Sequence, residues 1–426
     1  MDDQPKDYLP ATPLSDAIRI TQIETVVPEE FMPGLLLVRV HTDSGLIGHG
    51  ETCYAPGAVD SLIHDWMAQR LLGADAIAIE SHWRFFYERF ANFGVRGAEL
   101  RAISAIDLAL WDILGQVCNQ PIYRLLGGPV RNKIAVYNSC GSPNYGRVVS
   151  SEVGLSKAQG IWPGYGGRGE PGPLSDSYNL FHTPGDLAQE LLDEGYSAVK
   201  TWPFDFAAHA HGGMRISLQD LETAIAPLRA IRERVGDKLE IIVDGHGFFL
   251  LPAALRIAEA LQEIKPLWLE DILKTDNIET LADFRRQSRM PISISEMLLS
   301  RPDFARVLET NAADYIMIDP TWVGGISETL RIANMAQAYN IPVTMHDCTG
   351  PLTVLAGLHV SAANAACCFQ ETVRAHTRTF YQHLIEPNIE IKNGYASLPT
   401  GVGIGAKLNP DLFSDSRASY RVSKLS

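Results

Sequence analysis

Positive charge is scarce in this sequence: 36 lysines and arginines stand against 50 aspartates and glutamates, for a formal net charge of −14. No basic run offsets that field, which argues against a nucleic-acid or anionic-membrane partner, and an anionic ligand would need positive charge close by to be held. Long apolar runs are missing too, since none approaches the roughly 20 residues that cross a bilayer. The six cysteines (Cys53, Cys118, Cys140, Cys348, Cys367 and Cys368) form no CxxC pair and no dense framework, so neither zinc nor dithiol chemistry is indicated and reduced thiols are expected. The opening MDDQPKDYLPATPLSD lacks the basic start and apolar stretch of a secretory signal, and a soluble cytoplasmic protein is the expectation.

What is present is a chain of 426 residues, 46% hydrophobic, long enough for one barrel-sized domain and a smaller one. Residues 17–53 alternate in a β manner as AIRITQIETVVP, GLLLVRVHTDSG and LIGHGETC, with Asp43-Ser44-Gly45 as a turn. From Val59 to Gly115 the pattern is helical, with Ile103, Ile106, Leu110 and Ile113 at three- and four-residue steps, and Gly127-Gly128-Pro129 breaks it. Strands followed by helices describe an α+β domain over residues 1–128.

Beyond the break, strands and helices alternate. IAVYNSC (134–140) and YSAVKTW (196–202) read as strands around a long Gly/Pro-rich insertion, 141–186, which is either a disordered connection or a lid. Trp162, Tyr165 and Tyr178 favour an ordered flap. Further strand ends fall near Trp202, Asp244, Glu270, Glu296, Asp319, His346 and Glu371, the last six spaced by 26, 26, 23, 27 and 25 residues, with helical stretches such as AALRIAEALQEI between them. With the strand at 134–140 that makes eight, so residues 129–393 are expected to close a (β/α)8-type barrel. Residues 394–426, punctuated by Gly and Pro, are expected to pack back on the first domain.

Three of these ends are carboxylates behind short apolar runs: LEIIVD ends at Asp244, KPLWLE at Glu270 and PISISE at Glu296. One acid at a strand end is usually a helix cap or a solvated loop residue. Three at equal spacing point to a hard divalent cation, Mg²⁺ before Ca²⁺. Around a barrel mouth the ring reads Lys200, Asp244 with His246, Glu270, Glu296, Asp319, His346 and Glu371. These are the parts needed to take a proton from the carbon beside a carboxylate, because the dianionic enediolate so formed needs a metal and cations. Lys200 would add charge, and His346 is the candidate base, with Asp319 able to fix its tautomer. Glu371, carrying or sharing a proton, could hydrogen-bond the enediolate. His209 and His211 in AAHAHGG read as a solvated loop rather than a metal pair.

Asp244, Glu270 and Glu296 on successive strands, Asp319 with His346, Glu371 on the eighth strand and the helix motif SAIDLALWD (104–112) together resemble the mandelate racemase subgroup of the enolase superfamily, over nearly the whole chain. The resemblance implies an α/β fold, a modified TIM barrel of (β/α)7β type beneath an N-terminal α+β capping domain, with Mg²⁺ and proton abstraction from a small carboxylate substrate. It also implies an even-numbered homo-oligomer, from dimer to octamer. The segments Glu30-Phe31-Met32 and Tyr54-Ala55-Pro56-Gly57 become candidate specificity loops, with Arg96 and the 141–186 insertion as further candidate contacts.

Two departures bear on the reaction. The subgroup often carries Lys-x-Lys on its second barrel strand, the second lysine serving as a base on the other face of the substrate; here the sequence is Lys200-Thr201-Trp202. Trp202 cannot take a proton, which counts against a two-base racemase and leaves it as a substrate contact. His246 follows the ligand Asp244 by two residues, which strand alternation would place on the same side. That arrangement is similar to acid-sugar dehydratases such as galactonate dehydratases, where the histidine helps the β-hydroxyl depart as water. The expected function is a Mg²⁺-dependent acid-sugar dehydratase, a hydro-lyase of carbohydrate catabolism working by syn or anti elimination to a 2-keto-3-deoxy acid, with His246 or His346 as general acid. The alternatives are a cycloisomerase of sugar-acid lactones or anhydro sugar acids, a racemase or epimerase, and a barrel that has lost catalysis.

Overall fold

The three alternating runs near the start pair as an antiparallel sheet of β1 (Ile20–Val27), β2 (Leu35–Thr42) and β3 (Ile47–Cys53). These and the following elements come from a computed structural model that describes residues 17–145, 171–347, 350–414 and 419–425. The turn between β2 and β3 falls at Asp43-Ser44-Gly45, where Gly45 takes the positive φ of 81° that other residues adopt with strain. The stretch read as a run of helices forms several, among them Ile79–Arg89 and the long α1 (Ala98–Val117). Two glycines set how closely α1 lies on the sheet. A Cβ on Gly48 would stand 2.0 Å from the Ala109 carbonyl oxygen, and one on Gly50 2.0 Å from that of Ala105. Ala105 and Ala109 are one helical turn apart, so small residues on both elements bring helix and strand into backbone contact.

After Gly128 come eight parallel strands: β4 (Lys133–Ser139), β5 (Ala198–Thr201), β6 (Glu240–Asp244), β7 (Trp268–Glu270), β8 (Ile292–Ile294), β9 (Tyr315–Ile318), β10 (Val343–Met345) and β11 (Cys367–Thr372). Each pairs with the next, and β11 pairs with β4 to close the ring. The principal helices linking them are α2 (Pro184–Asp193), α3 (Leu218–Val235), α4 (Leu251–Ala260), α5 (Ile278–Ser288), α6 (Arg301–Glu309), α7 (Gly325–Ala338) and α8 (Pro351–Ala363), the (β/α)7β pattern. Inside the barrel Tyr137, Ala198, Ile242, Trp268 and Met317 form a packed layer, so the ring is a filled core with a floor beneath its mouth.

The motif at 104–112 docks the capping domain on the barrel. Ser104, Asp107 and Trp111 share one helix face: the Ser104 hydroxyl accepts from Gly324 N at 2.9 Å, Asp107 accepts from Ser327 N at 3.1 Å and Oγ at 2.6 Å, and Trp111 Nε1 donates to Ser327 Oγ at 2.8 Å. Gly325, with φ of 85°, opens α7 beneath them, and a Cβ there would lie 2.2 Å from Asp107 Oδ2. After Gly394 the chain serves both parts. Tyr395–Ser397 pairs antiparallel with β4, Ile404 N donates to Asp112 Oδ1 at 2.9 Å, and Ser419–Lys424 pairs antiparallel with β1. Of the aromatics in the long insertion, Trp162 and Tyr165 lie outside the described residues, and Tyr178 sits in the helix Asp176–His182, stacked on His182. No helix among the described residues is long and apolar enough to cross a membrane.

Candidate active site

Short parallel strands that end at one mouth deliver the next residues of each loop to a common space. Asp319 and His346 are the first residues past β9 and β10, which pair in register. His346 Nδ1 lies 2.7 Å from Asp319 Oδ2, and Asp319 Oδ1 accepts from the backbone N and the hydroxyl of Thr321, both at 2.8 Å. A carboxylate can only accept, so Nδ1 is the protonated nitrogen and Nε2 is turned toward Glu371, 3.9 Å away. Behind the pair runs a polar chain into the capping domain: Thr321 Oγ1 meets Thr353 Oγ1 at 3.1 Å, and Thr353 donates from N at 2.6 Å and from Oγ1 at 2.8 Å to Glu51 Oε1 on β3. Burial pushes the Glu51 carboxyl up to about 7 against those hydrogen bonds.

Asp244 and Glu270 are the last residues of β6 and β7 and sit opposite each other, and Glu296 follows β8 by two residues. Among them lies the buried Lys200, its Nζ 2.5 Å from Glu270 Oε1, 2.8 Å from Glu371 Oε1 and 3.3 Å from Asp244 Oδ2. Trp268, in the barrel floor, holds the other Glu270 oxygen at 2.9 Å. Burial drives the Glu270 carboxyl upward; Lys200 opposes that, while Asp244, Glu371 and Glu296 add to it, giving about 8. From the sequence, Lys200 is expected to add positive charge at the site; in the structure its ammonium stands among the protein's own acids, where buried negative charge holds the nearest cation. Glu371 collects further donors, Tyr137 Oη and Asp347 N at 3.2 Å each and the hydroxyl of Ser139.

With Lys200 so lodged, no group of three or more His, Cys, Asp or Glu among the described residues stands at metal-holding spacing. The chemistry of the three acids fits a hard divalent cation all the same. Glu296 Oε2 is buried and accepts no hydrogen bond, and the buried Asp244 Oδ2 faces the Lys200 ammonium at 3.3 Å; buried carboxylate oxygens so placed are suited to a cation.

His246 reaches the site by a different route from the one its spacing suggests. β6 ends at Asp244, and His246 lies past it in a tight turn with φ of 46°, so strand alternation does not place it; the turn does. Its backbone N donates to Asp244 Oδ1 at 2.8 Å, its Nδ1 lies 2.8 Å from Asp205 Oδ2, and its Nε2 lies 3.7 Å from Asp244 Oδ2. Burial disfavours charge on the imidazole, but Asp244 and Asp205 outweigh it and hold the pKa up at about 9. The indole of Trp202 packs edge-on against it, 5.6 Å between ring centres.

A cavity of about 280 Å³ opens among these groups, with Lys200, Asp244, Glu296 and Glu371 in its lining and Tyr54, Arg101, Trp202, His246, Trp322 and His346 around its walls. The Arg101 guanidinium stacks 4.1 Å over Trp322 and donates to the Cys53 carbonyl at 2.8 Å. Among the other candidates, Arg96 bonds Asp303 at 2.6 Å away from this lining, Phe31 stacks on His383, Met32 is core, and only Tyr54 of the two proposed loops lines the cavity among the described residues. His209 and His211 belong to a short helix, Asp205–His211, rather than a loop; His209 is exposed and His211 pairs with Asp220 at 3.2 Å. Tyr137 and Ser139 were within reach of sequence reasoning, since alternation along IAVYNSC gives them one face. Nothing in the sequence marks Arg101, Asp205 or Trp322.

Comparison with known proteins gives matches along most of the chain. A family model described as Enolase C-terminal domain-like matches residues 185–412, and one described as Mandelate racemase / muconate lactonizing enzyme, N-terminal domain, matches residues 21–127. A D-galactonate dehydratase family member from Streptomyces bingchenggensis is 30% identical, over 78% of this chain and 78% of its own. An arabinonate dehydratase from Saccharolobus solfataricus is 26% identical, over 89% of this chain and 90% of its own. The crystal structure of an enolase of the mandelate racemase subgroup from Agrobacterium tumefaciens superposes with a TM-score of 0.81 at 38% identity, covering 95% of this chain and 99% of the other.

Proposed function

From the premise that the chain belongs to the enolase superfamily, in its mandelate racemase/muconate lactonizing subgroup, we propose that it is a Mg²⁺-dependent acid-sugar dehydratase, a carbon–oxygen hydro-lyase that yields a 2-keto-3-deoxy sugar acid. The observation that carries this reading is the pair of imidazoles, His346 and His246, in the wall of one cavity that also holds Lys200 and the carboxylates. Proton abstraction needs one positioned base; expelling a hydroxyl needs a positioned acid as well.

In this reading His346, its tautomer held by Asp319, takes the α-proton on Nε2. Asp244, Glu270 and Glu296 are the residues that would hold Mg²⁺. When bound, the ion supplies positive charge that makes the carboxylate-derived enediolate accessible. Lys200 contributes its ammonium to the same negative charge, and Glu371, bonded to Lys200 and Tyr137, fixes that side of the cavity. His246 protonates the departing β-hydroxyl, and the indole of Trp202 walls the cavity where a second base would stand in a racemase. Free cysteines at every described position accord with a reducing cytoplasm, which with homo-oligomeric assembly belongs to the same proposal.

The test is a screen of hexonates, pentonates and aldarates, with Mg²⁺, for 2-keto acid formation. Loss of water from at least one acid sugar is expected. A product isomeric with its substrate identifies a cycloisomerase, solvent deuterium at an inverted α-carbon identifies a racemase or epimerase, and turnover of no acid sugar overturns the reading.

A further inference from the structure

Each cavity imidazole is gripped in the same way, from opposite sides of the barrel. His346 follows β10 and its Nδ1 is held at 2.7 Å by Asp319, which follows β9. His246 follows β6 and its Nδ1 is held at 2.8 Å by Asp205, from the loop and short helix after β5. In both cases the carboxylate comes from the strand before the histidine's own. In a closed ring of eight, β5 and β9 stand four strands apart, as do β6 and β10, so the two pairs lie across the mouth from each other. An indole from each carboxylate's own loop packs on its imidazole: Trp322 on His346 at 5.2 Å and Trp202 on His246 at 5.6 Å.

Asp205 is buried, and the hydrogen bond it makes goes to His246; its other oxygen accepts none. A carboxylate sequestered from water at that cost, with an imidazole as its partner, is a structural expense unless the imidazole's orientation matters. We propose that Asp205 is the positioning residue of a second His–Asp pair: it keeps the proton on Nδ1 of His246 and aims Nε2–H at the leaving hydroxyl, as Asp319 aims Nε2 of His346 at the α-proton. This rests on the dehydratase reading. In the elimination, the electron pair of the broken C–H bond becomes the Cα–Cβ double bond, the Cβ–O bond breaks with its pair on oxygen, and His246 Nε2–H protonates that oxygen so that it leaves as water. His246 is then neutral and still protonated on Nδ1. With base and acid on opposite walls, the proton and the hydroxyl leave from opposite faces, which selects anti over syn elimination.

Two measurements test the assignment. In ¹⁵N-histidine-labelled full-length protein, with Mg²⁺ and without substrate, His246 is expected to show a protonated, strongly hydrogen-bonded Nδ1 whose signal changes in Asp205→Asn while that of His346 does not. A wild-type His246 carrying its proton on Nε2 alone, or an imidazole indifferent to Asp205→Asn, overturns the proposal whether or not any substrate is found. In D₂O, with an acid sugar from the screen that the wild type dehydrates, Asp205→Asn is expected to lose roughly 100-fold or more in kcat for water loss with KM little changed. It should still wash deuterium into the α-position of unreacted substrate, whereas Asp319→Asn loses both. Equal loss of exchange and elimination in Asp205→Asn overturns the positioning role; absence of any substrate overturns the dehydratase reading and leaves the imidazole spectrum to decide on Asp205.

Discussion

At the residue scale, chemistry in this site depends on which groups hold which protons and charges. Asp319 accepts from His346 on one oxygen and from Thr321 on the other, so Asp319→Asn keeps the volume but offers the imidazole an amide that can also donate, which favours the wrong tautomer. Turnover of the screened substrate is expected to fall by roughly 10³-fold or more with folding preserved, read by steady-state kinetics and circular dichroism. Lys200 makes a different prediction. Its ammonium contacts Glu270, Glu371 and Asp244, and Lys200→Met would leave those acids without it; loss of one partner of a buried ion pair costs about 3–5 kcal/mol. Mg²⁺ can replace much of that charge, so the metal should raise the melting temperature more in Lys200→Met than in the wild type. Equal stabilisation of the two proteins by Mg²⁺ would contradict the assignment of these acids as its ligands. Asp319, His346, Glu270 and Glu371 were legible in the sequence because they close apolar runs at regular intervals. Asp205 and Arg101 were not, since each matters only through a partner from a distant segment.

At the scale of elements, the contact between β3 and α1 decides whether the capping domain has a core. Gly50→Ala puts a methyl group where the Ala105 carbonyl already is, and overpacking of this kind costs roughly 1–3 kcal/mol. Gly57→Ala, in the helix Pro56–Ser61 with nothing within 4 Å of its new methyl, is the control and should not lower the urea midpoint. If the two variants unfold alike, the helix does not approach the strand as described. The strand boundaries followed from hydrophobic alternation, and the barrel count from the 23- to 27-residue repeat. The mistaken element, the loop around His209 and His211, forms a helical turn because Phe204, Ala207 and Ala208 pack into the barrel core and carry the intervening polar residues with them.

At the scale of the whole molecule, Asp107 joins the capping helix to α7 of the barrel and is buried in doing so. Burial pushes its carboxyl up to about 7, from an ordinary value of 3.8, against the bonds from Ser327. A carboxyl whose folded value is raised adds stability that is complete below the unfolded value and is lost as pH rises through the folded one. The wild type is therefore expected to lose stability relative to Asp107→Asn between pH 5 and pH 8. At pH 5 Asp107 carries its proton and, like the amide of the variant, has one full acceptor for Ser327; across the window the wild type should lose about 1 kcal/mol or more relative to the variant. Urea midpoints at the two pH values check it, and parallel curves would show that Asp107 does not titrate in the folded interface.

The sequence by itself determined the architecture and the inventory of reactive groups. Burial periodicity is a local property that a strand or helix shows within its own residues, and a closed barrel then places every strand end at one mouth. Tertiary structure decided the pairings: that Lys200 sits among the acids, that a turn rather than a strand presents His246, and that Asp205, Arg101 and Glu51 belong to the same neighbourhood. Hydrogen bonds and ion pairs depend on distances between segments far apart in the chain, and those distances come into being only when the ring closes and the cap docks upon it.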